Sequence, residues 1–300
     1  MAQTVIITGA TSGLGLLTAR RLAAAGWRVI ATGRNLAGLT ASDREAGIEP
    51  VVLNLDALAT VDDFVRWLDS AGVERLDALV CNAGGQSRER QFSADGFERT
   101  VAVNYLAAMA LVDRLVPRLR DGGRVVLIGS GTHNPAEVRN LPAAIEDADL
   151  ADLLHPPEPG VPADAFRRYA TSKLCLVRVT PRLARDLAPA GITVNTFDPG
   201  LMPGTALARD FPPLLRTLWR VATPLLLLAP GAHRPATSAR HLADLVAGPR
   251  FASMSGAYVV DAAPAGTSIA SFDLARTERL YTDTLDVIGA QHLGVGAPLG

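Results

Sequence analysis

Residues 4–32 read TVIITGATSGLGLLTARRLAAAGWRVIAT, and the order of residue types in this stretch decides the fold. Thr4 to Thr8 is a short β-branched run that stops at Gly9, a strand signal. Apolar residues then recur at helical spacing through Leu16, Ala19, Leu22 and Ala23 until Gly26 closes the helix. Trp27 to Thr32 is a second strand. A strand, a glycine turn, a helix and another strand make a βαβ unit, whose strands run parallel because the helix carries the chain back.

The alternation continues outward from there. Glu49 to Leu53 predicts a third strand, Val61 to Leu68 a helix, Leu76 to Cys81 a fourth strand and Thr100 to Leu119 a long apolar helix. Arg124 to Gly129, Thr193 to Phe197 and Gly256 to Val260 predict three more strands, with a helix over Phe166 to Leu187. The class is α/β, a doubly wound parallel sheet of about seven strands in a single domain, residues 1–265. Two segments break the repeat. Residues 134–164 are rich in proline and acids and are expected to form a partly helical insertion. Residues 203–235 set prolines around the apolar run LLRTLWRVATPLLLL. They are expected to form a lid, with a core element, a subunit interface or a membrane-surface helix as the alternatives. A C-terminal extension, 266–300, holds one amphipathic helix from Phe272 to Leu285 and a glycine-rich end expected to fray.

Composition excludes several classes. The 300 residues carry 29 basic and 30 acidic side chains and 48% hydrophobic residues. That is a globular balance with no electrostatic footprint for nucleic acid. Neither Cys81 nor Cys175 belongs to a CxxC pair, and the five histidines lack metal-ligand spacing, so no metal site is expected. No apolar run approaches the length that spans a bilayer, and the N-terminus lacks a signal-peptide pattern, so a cytoplasmic protein, homodimeric or monomeric, is expected.

Gly9, Gly13 and Gly15 lie between a strand and a helix, where missing side chains let a pyrophosphate reach backbone N–H groups at the helix N-terminus. That predicts a dinucleotide cradle. Arginine fills every basic position but one, and the lone lysine, Lys173, follows Tyr169 by four residues in YATSK. That spacing puts phenol and ammonium on one helical face, where a nearby cation is expected to draw the phenol pKa down.

TGATSGLG, NAG at Asn82, Ala83 and Gly84, Asn104 in the long helix, Ser130 after the fifth strand, YATSK, and PG at Pro199 and Gly200 occur in order. Together they resemble the short-chain dehydrogenase/reductase family, over about residues 4–205. The 39-residue gap from Ser130 to Tyr169 resembles its retinol dehydrogenase and protochlorophyllide reductase-like branch. The resemblance implies a Rossmann-type fold with Tyr169 as general acid/base, Lys173 as its partner and ribose ligand, Ser130 as donor to the substrate oxygen, and Asn104 holding a water that links Lys173 to solvent. It implies a cofactor surface of Gly9, Thr11, Ser12, Gly13, Leu14, Gly15, Arg34, Asn35, Asn54, Leu55, Asn82, Ala83, Gly84, Tyr169, Lys173, Pro199, Gly200 and Met202. The second strand ends in Thr32, Gly33 and Arg34 with no acid to meet a ribose hydroxyl, so NADP is the expected cofactor. Asn54 stands where many family members carry Asp, and PGLMPGT shifts the usual threonine to Thr205. The expected reaction interconverts a carbonyl and an alcohol on a bulky hydrophobic small molecule. Reduction of a conjugated C=C bond and a non-catalytic dinucleotide sensor are the alternatives.

Overall fold

The computed structural model describes residues 2–87, 89–138, 141–156, 162–202 and 231–289. Within them the strands are β1 (Thr4–Thr8), β2 (Arg28–Gly33), β3 (Ile48–Val52), β4 (Leu76–Cys81), β5 (Leu119–Ile128), β6 (Thr193–Asp198), β7 (Tyr258–Val260) and β8 (Ala263–Pro264). They form one eight-stranded sheet in the order β3-β2-β1-β4-β5-β6-β7-β8. Every pairing is parallel except β7 with β8, a two-residue antiparallel edge too short to register as a sequence pattern. The chain winds outward from β1 to β3, then crosses to β4 and winds the other way. The sheet therefore has a switch point between β1 and β4, where doubly wound folds bind ligands.

Alternation along the strands sorts the core into two layers. In β1, Ile6 faces one hydrophobic cluster while Val5 and Ile7 face the other; in β5, Val125 and Leu127 oppose Val126 and Ile128. Helix α1 (Gly13–Ala24) and helix α8 (Pro235–Ala247) cover one face. The other face is covered by α3 (Ala59–Ser70), α5 (Ala107–Leu115), α6 (Leu150–Leu154), α7 (Pro162–Leu187) and α9 (Leu274–Ile288). Both faces of a parallel sheet are thereby dry, which such sheets require.

Several boundaries differ from the sequence reading. The expected helix over Thr100 to Leu119 is three pieces. It runs α4 (Arg99–Val101), a π-turn at Ala102–Leu106 and α5, after which a 3-10 turn at Val116–Arg118 leads into β5. β5 starts at Leu119 rather than Arg124, and its register with β4 shifts between Leu76 and Ala78. The segment Arg99–Arg118 is long and apolar enough to cross a membrane, but most of it is buried inside the protein as a core helix. Helix α2 (Ala41–Glu45) was not expected, although Thr40 and Asp43 form a reciprocal capping box. Helix α8 was also missed; its first residue, Pro235, was read as the end of a proline-rich segment rather than as a helix start.

The described part of the 134–164 insertion contains α6, in keeping with a partly helical excursion. Residues 203–230 of the expected lid, together with Thr205 and the glycine-rich end, lie outside the described residues. Leu201 and Ala232 pair in an isolated parallel bridge. Helix α9 of the C-terminal extension buries Leu280, Tyr281, Leu285 and Ile288 in the same cluster as α5 and α7, and Tyr105 and Thr284 share a 2.8 Å hydrogen bond.

Candidate active site

The glycine turn sits at the switch point and is locked to the end of β4. Asn82 Nδ2 donates to the carbonyls of Thr8 at 2.8 Å and Gly9 at 3.3 Å, and the Thr8 hydroxyl accepts from Ala83 N–H at 2.9 Å. A Cβ on Gly9 would lie 2.9 Å from Ala83 Cα, and one on Gly15 would lie 2.5 Å from Asn82 Nδ2. The missing side chains therefore create the close approach between the two loops. Gly9 and Gly13 also adopt φ of +65° and +54°, a region that favours glycine. Ser12 precedes α1 without capping it by a side-chain hydrogen bond, so the N–H groups of the first turn remain available to an anion. A glycine-lined turn closed by Asn82 and an uncapped helix N-terminus fit the pyrophosphate of a dinucleotide.

On the adenine side, β2 ends at Thr32 and Gly33, which a Cβ would force into Thr11 Cγ2 at 2.7 Å. Arg34 follows, exposed to solvent, and Asn35, also exposed, accepts from Ala37 N–H at 2.8 Å in a local turn. Asn54 and buried Leu55 follow β3 along the same edge; Asn54 Oδ1 accepts from Asp56 N–H at 3.4 Å. On the other side, Pro199 and Gly200 leave β6 with Gly200 at φ +71°, and half-buried Met202 packs against the α1–α8 layer.

The expected reacting groups converge above the ends of β4 and β5. Tyr169 and Lys173 are one turn apart on α7, with the ammonium 5.6 Å from the phenol ring centroid. The Tyr169 hydroxyl stands near the Ser130 side chain, whose Oγ accepts from the Thr132 hydroxyl at 3.0 Å. Lys173 is buried and donates to the Ile128 carbonyl at 2.7 Å. Asn104 lies in the π-turn, whose extra residue swings its side chain out of the helical ladder. Its amide accepts from Gly85 N–H at 2.9 Å and donates to the Gly85 carbonyl at 2.9 Å and the Ser172 hydroxyl at 3.0 Å. Gly84 sits between Asn104 and Lys173: a Cβ there would lie 3.0 Å from Asn104 Oδ1 and 3.5 Å from Lys173 Nζ. Asn104 thus fastens the turn after β4 to the helix that carries Tyr169.

The electrostatics correct one expectation. Burial pushes the Tyr169 phenol up to about 12, with Ser130 pulling it back and Asp198 adding to the rise. Burial also brings the Lys173 ammonium down to about 8, opposed by Asp198. The adjacent lysine does not hold the phenol below its ordinary value in the protein alone, because desolvation outweighs attraction across the ring.

Residues that motif reading missed complete the floor of the site. His133 is fully buried, with Nδ1 2.7 Å from the Ser130 carbonyl and its ring edge-on to Tyr258 at 4.8 Å. Asp198 accepts from the Tyr258 hydroxyl at 2.6 Å and from Gly200 N–H at 2.8 Å. The aspartate before PG and the histidine after GSGT were visible in the sequence, but nothing local joined them.

Comparison with known proteins bears on this geometry. The family described as short chain dehydrogenase matches residues 3–139. A polyprenol dehydrogenase of Mus musculus is 33% identical, covering 96% of this chain and 84% of its own length. The chain is a short-chain dehydrogenase/reductase. It is accordingly an oxidoreductase that depends on a nicotinamide dinucleotide. A chloroplastic protochlorophyllide reductase of Chlamydomonas reinhardtii is 32% identical over 85% of this chain and 69% of its own. Among solved structures, BdcA in complex with NADPH superposes with a TM-score of 0.62 at 26% identity, over 88% of this chain and 96% of that one. The branch to which the 39-residue gap pointed is the one these relatives represent.

Proposed function

We propose that this short-chain dehydrogenase/reductase uses NADPH to reduce a carbonyl on a bulky hydrophobic small molecule. The observation that carries the reading is the meeting of three side chains on two elements. The Ser130 side chain stands near the Tyr169 hydroxyl, and Lys173 stands one turn behind on the same helix. The cofactor, when bound, supplies the hydride; the protein supplies the proton and the alignment. Tyr169 holds its proton because burial disfavours the phenolate, and so it serves as the acid toward a developing alkoxide. Ser130 offers a second hydrogen bond to the same oxygen, with Thr132 fixing its rotamer. Lys173, the ribose ligand in this reading, is held in place by the Ile128 carbonyl. Asn104 stands next to it, where a water on that side would link Lys173 to solvent.

Arg34 supports NADP over NAD. It is exposed beside the end of β2, and no carboxylate stands at Thr32 or Gly33 to repel a 2′-phosphate. The two buried free thiols, Cys81 and Cys175, suit a reducing compartment such as the cytoplasm. The polyprenol dehydrogenase relative supports a lipophilic substrate. The protochlorophyllide reductase relative keeps reduction of a conjugated C=C bond as the second reading, since Tyr169 can protonate carbon as well as oxygen. Full retention of Tyr169, Lys173 and Ser130 in contact argues against a non-catalytic sensor. A panel of lipophilic aldehydes, ketones and enones followed by NADPH absorbance tests the reading. Turnover of aldehydes or ketones is expected, turnover confined to enones would favour the second reading, and binding of NADPH without turnover of any class would contradict both.

A further inference from the structure

Asp198 ends β6 with its carboxylate buried, 6% exposed, and its hydrogen-bond donors among the described residues are neutral: the Tyr258 hydroxyl and Gly200 N–H. The field of a buried carboxylate reaches far because little solvent screens it. The sheet register sets Asp198 beside the strand end that holds Lys173. Ile128, whose carbonyl holds the Lys173 ammonium, is the β-partner of Phe197, the residue before Asp198. Gly129 N–H donates to the Phe197 carbonyl at 2.8 Å, so the strand ends stay in step up to Ser130. At the next residue, a Cβ on Gly131 would lie 3.2 Å from Asp198 Oδ2, so the carboxylate lies directly against the turn that carries Ser130. Tyr258 ties the arrangement together. Its hydroxyl holds Asp198, its ring meets the His133 edge, and a Cβ on Gly129 would lie 3.3 Å from its Cε2.

We propose that Asp198 is the buried counter-charge of Lys173 and a positioning residue for the direction of proton transfer, holding the Tyr169–Lys173 pair in its protonated, proton-donating form. The inference rests on the reading of Tyr169 as the acid of a reductase. The groups facing Asp198 come from three elements. Tyr169 and Lys173 lie on α7, and Asp198 raises the pKa of both. Tyr258 on β7 is itself held well above its ordinary value, first by burial and then by Asp198. In the turn after β5, burial lowers the His133 pKa, opposed by the Ser130 carbonyl and Asp198, and burial raises the Glu137 carboxyl, with Asp198 adding to that rise. Beyond the PG turn, His233 pairs with Asp261 at 2.9 Å. Of the groups whose titration Asp198 shifts, Lys173 is the cation at neutral pH, and Tyr169, like Tyr258 and Glu137, is a group whose ionised form a neighbouring negative charge disfavours. In carbonyl reduction the O–H bond of Tyr169 breaks as its proton passes to the substrate oxygen, while hydride from the reduced nicotinamide forms the C–H bond. A carboxylate near the phenol keeps that O–H intact until the alkoxide develops. Alcohol oxidation needs the phenolate, which the same carboxylate opposes.

Lys173 is the only lysine in the chain, so lysine labelled with carbon-13 at Cε gives one resonance from one site. In wild-type protein its titration midpoint is expected at about 8. Asp198→Asn should move the midpoint down by about one pH unit and shift the alkaline limb of the NADPH-dependent rate in the same direction. Tyr258→Phe, which removes a hydrogen bond but leaves the charge, should move the midpoint far less. A midpoint unchanged in folded Asp198→Asn, or lowered equally by Tyr258→Phe, overturns the proposal. If Asp198→Asn does not fold, Asp198→Ser, neutral and still able to accept from Gly200 N–H, is read by the same criterion. Tyr169→Phe separates the two levels of inference. Retained turnover there refutes the acid reading whatever Lys173 does, whereas loss of turnover in Tyr169→Phe together with an unmoved Lys173 midpoint in Asp198→Asn refutes only the role of Asp198.

Discussion

Replacing Gly15 by alanine tests whether the glycine turn and the Asn82 loop are built against each other for a ligand. Gly15 is buried inside α1 at ordinary helical φ, so by propensity alone Gly15→Ala would stabilise the helix by about 1 kcal/mol. Packing opposes it. The new Cβ would stand 2.5 Å from Asn82 Nδ2 and 2.6 Å from the Gly9 carbonyl, nearly an ångström inside ordinary contact on two sides. Neither neighbour yields freely, because Asn82 is anchored to the Thr8 carbonyl at 2.8 Å and Gly9 is backbone. Overpacking of that kind costs roughly 1–3 kcal/mol, which leaves a net destabilisation of about 0–2 kcal/mol. The melting temperature should fall by only a few degrees, at about 2–4 °C per kcal/mol in a chain of this size. Affinity should suffer more, since the displaced atoms are those that frame the anion site; we expect NADPH to bind at least about tenfold more weakly, a loss of about 1.4 kcal/mol. Differential scanning fluorimetry and a fluorescence titration with NADPH measure the two effects separately. Wild-type affinity in folded Gly15→Ala would refute the assignment of this turn as the pyrophosphate cradle.

Three further outcomes follow from the geometry. Lys173→Arg should lose most turnover despite keeping its charge, because a planar guanidinium cannot replace the ammonium that bonds Ile128 beside Gly84; near-normal rates in a folded variant would show the lysine to be dispensable. Arg34→Asp should reverse a preference for NADPH over NADH of about tenfold or more, read by competitive titration, and equal binding of the two by wild-type protein would remove the basis for NADP. Arg20 hydrogen-bonds Asp43 at 2.7 Å and holds its carboxyl far below the usual carboxylate range. A depressed carboxylate contributes stability that is complete above its unfolded pKa of about 4 and is lost as pH falls toward the folded value. Asp43→Asn should therefore flatten the acid limb of urea-unfolding stability below about pH 4, and an unchanged limb would count against the pair.

How much of this was legible in the sequence depended on distance along the chain. The apolar runs of β1, β2 and β4 are buried on both faces, and in β1 and β2 β-branched residues add strand propensity, so these strands are directly readable. Tyr169 and Lys173 could be paired because their partnership is local to one helical turn. Features that depend on distant residues were not readable. Asp198 and Tyr258 are 60 positions apart, and His133 meets Ser268 N–H across 135. The direction of the Tyr169 shift was misjudged for the same reason: the sequence shows the lysine beside the phenol but not the desolvation around both. The π-turn that presents Asn104 looks like uninterrupted helix because its residues, AVNYL, include no proline or glycine to mark a break. Two further signals are local, the Thr40–Asp43 capping box of α2 and Pro235 at the start of α8.

The most direct test of the central claim is the rate of NADPH oxidation by wild-type protein and by Tyr169→Phe with the best lipophilic carbonyl from the panel. The change removes one hydroxyl, so NADPH affinity should stay near wild-type while turnover falls by at least about two orders of magnitude. Turnover that survives in Tyr169→Phe, or affinity and turnover that fall together, would contradict the reading of Tyr169 as the proton donor of this site.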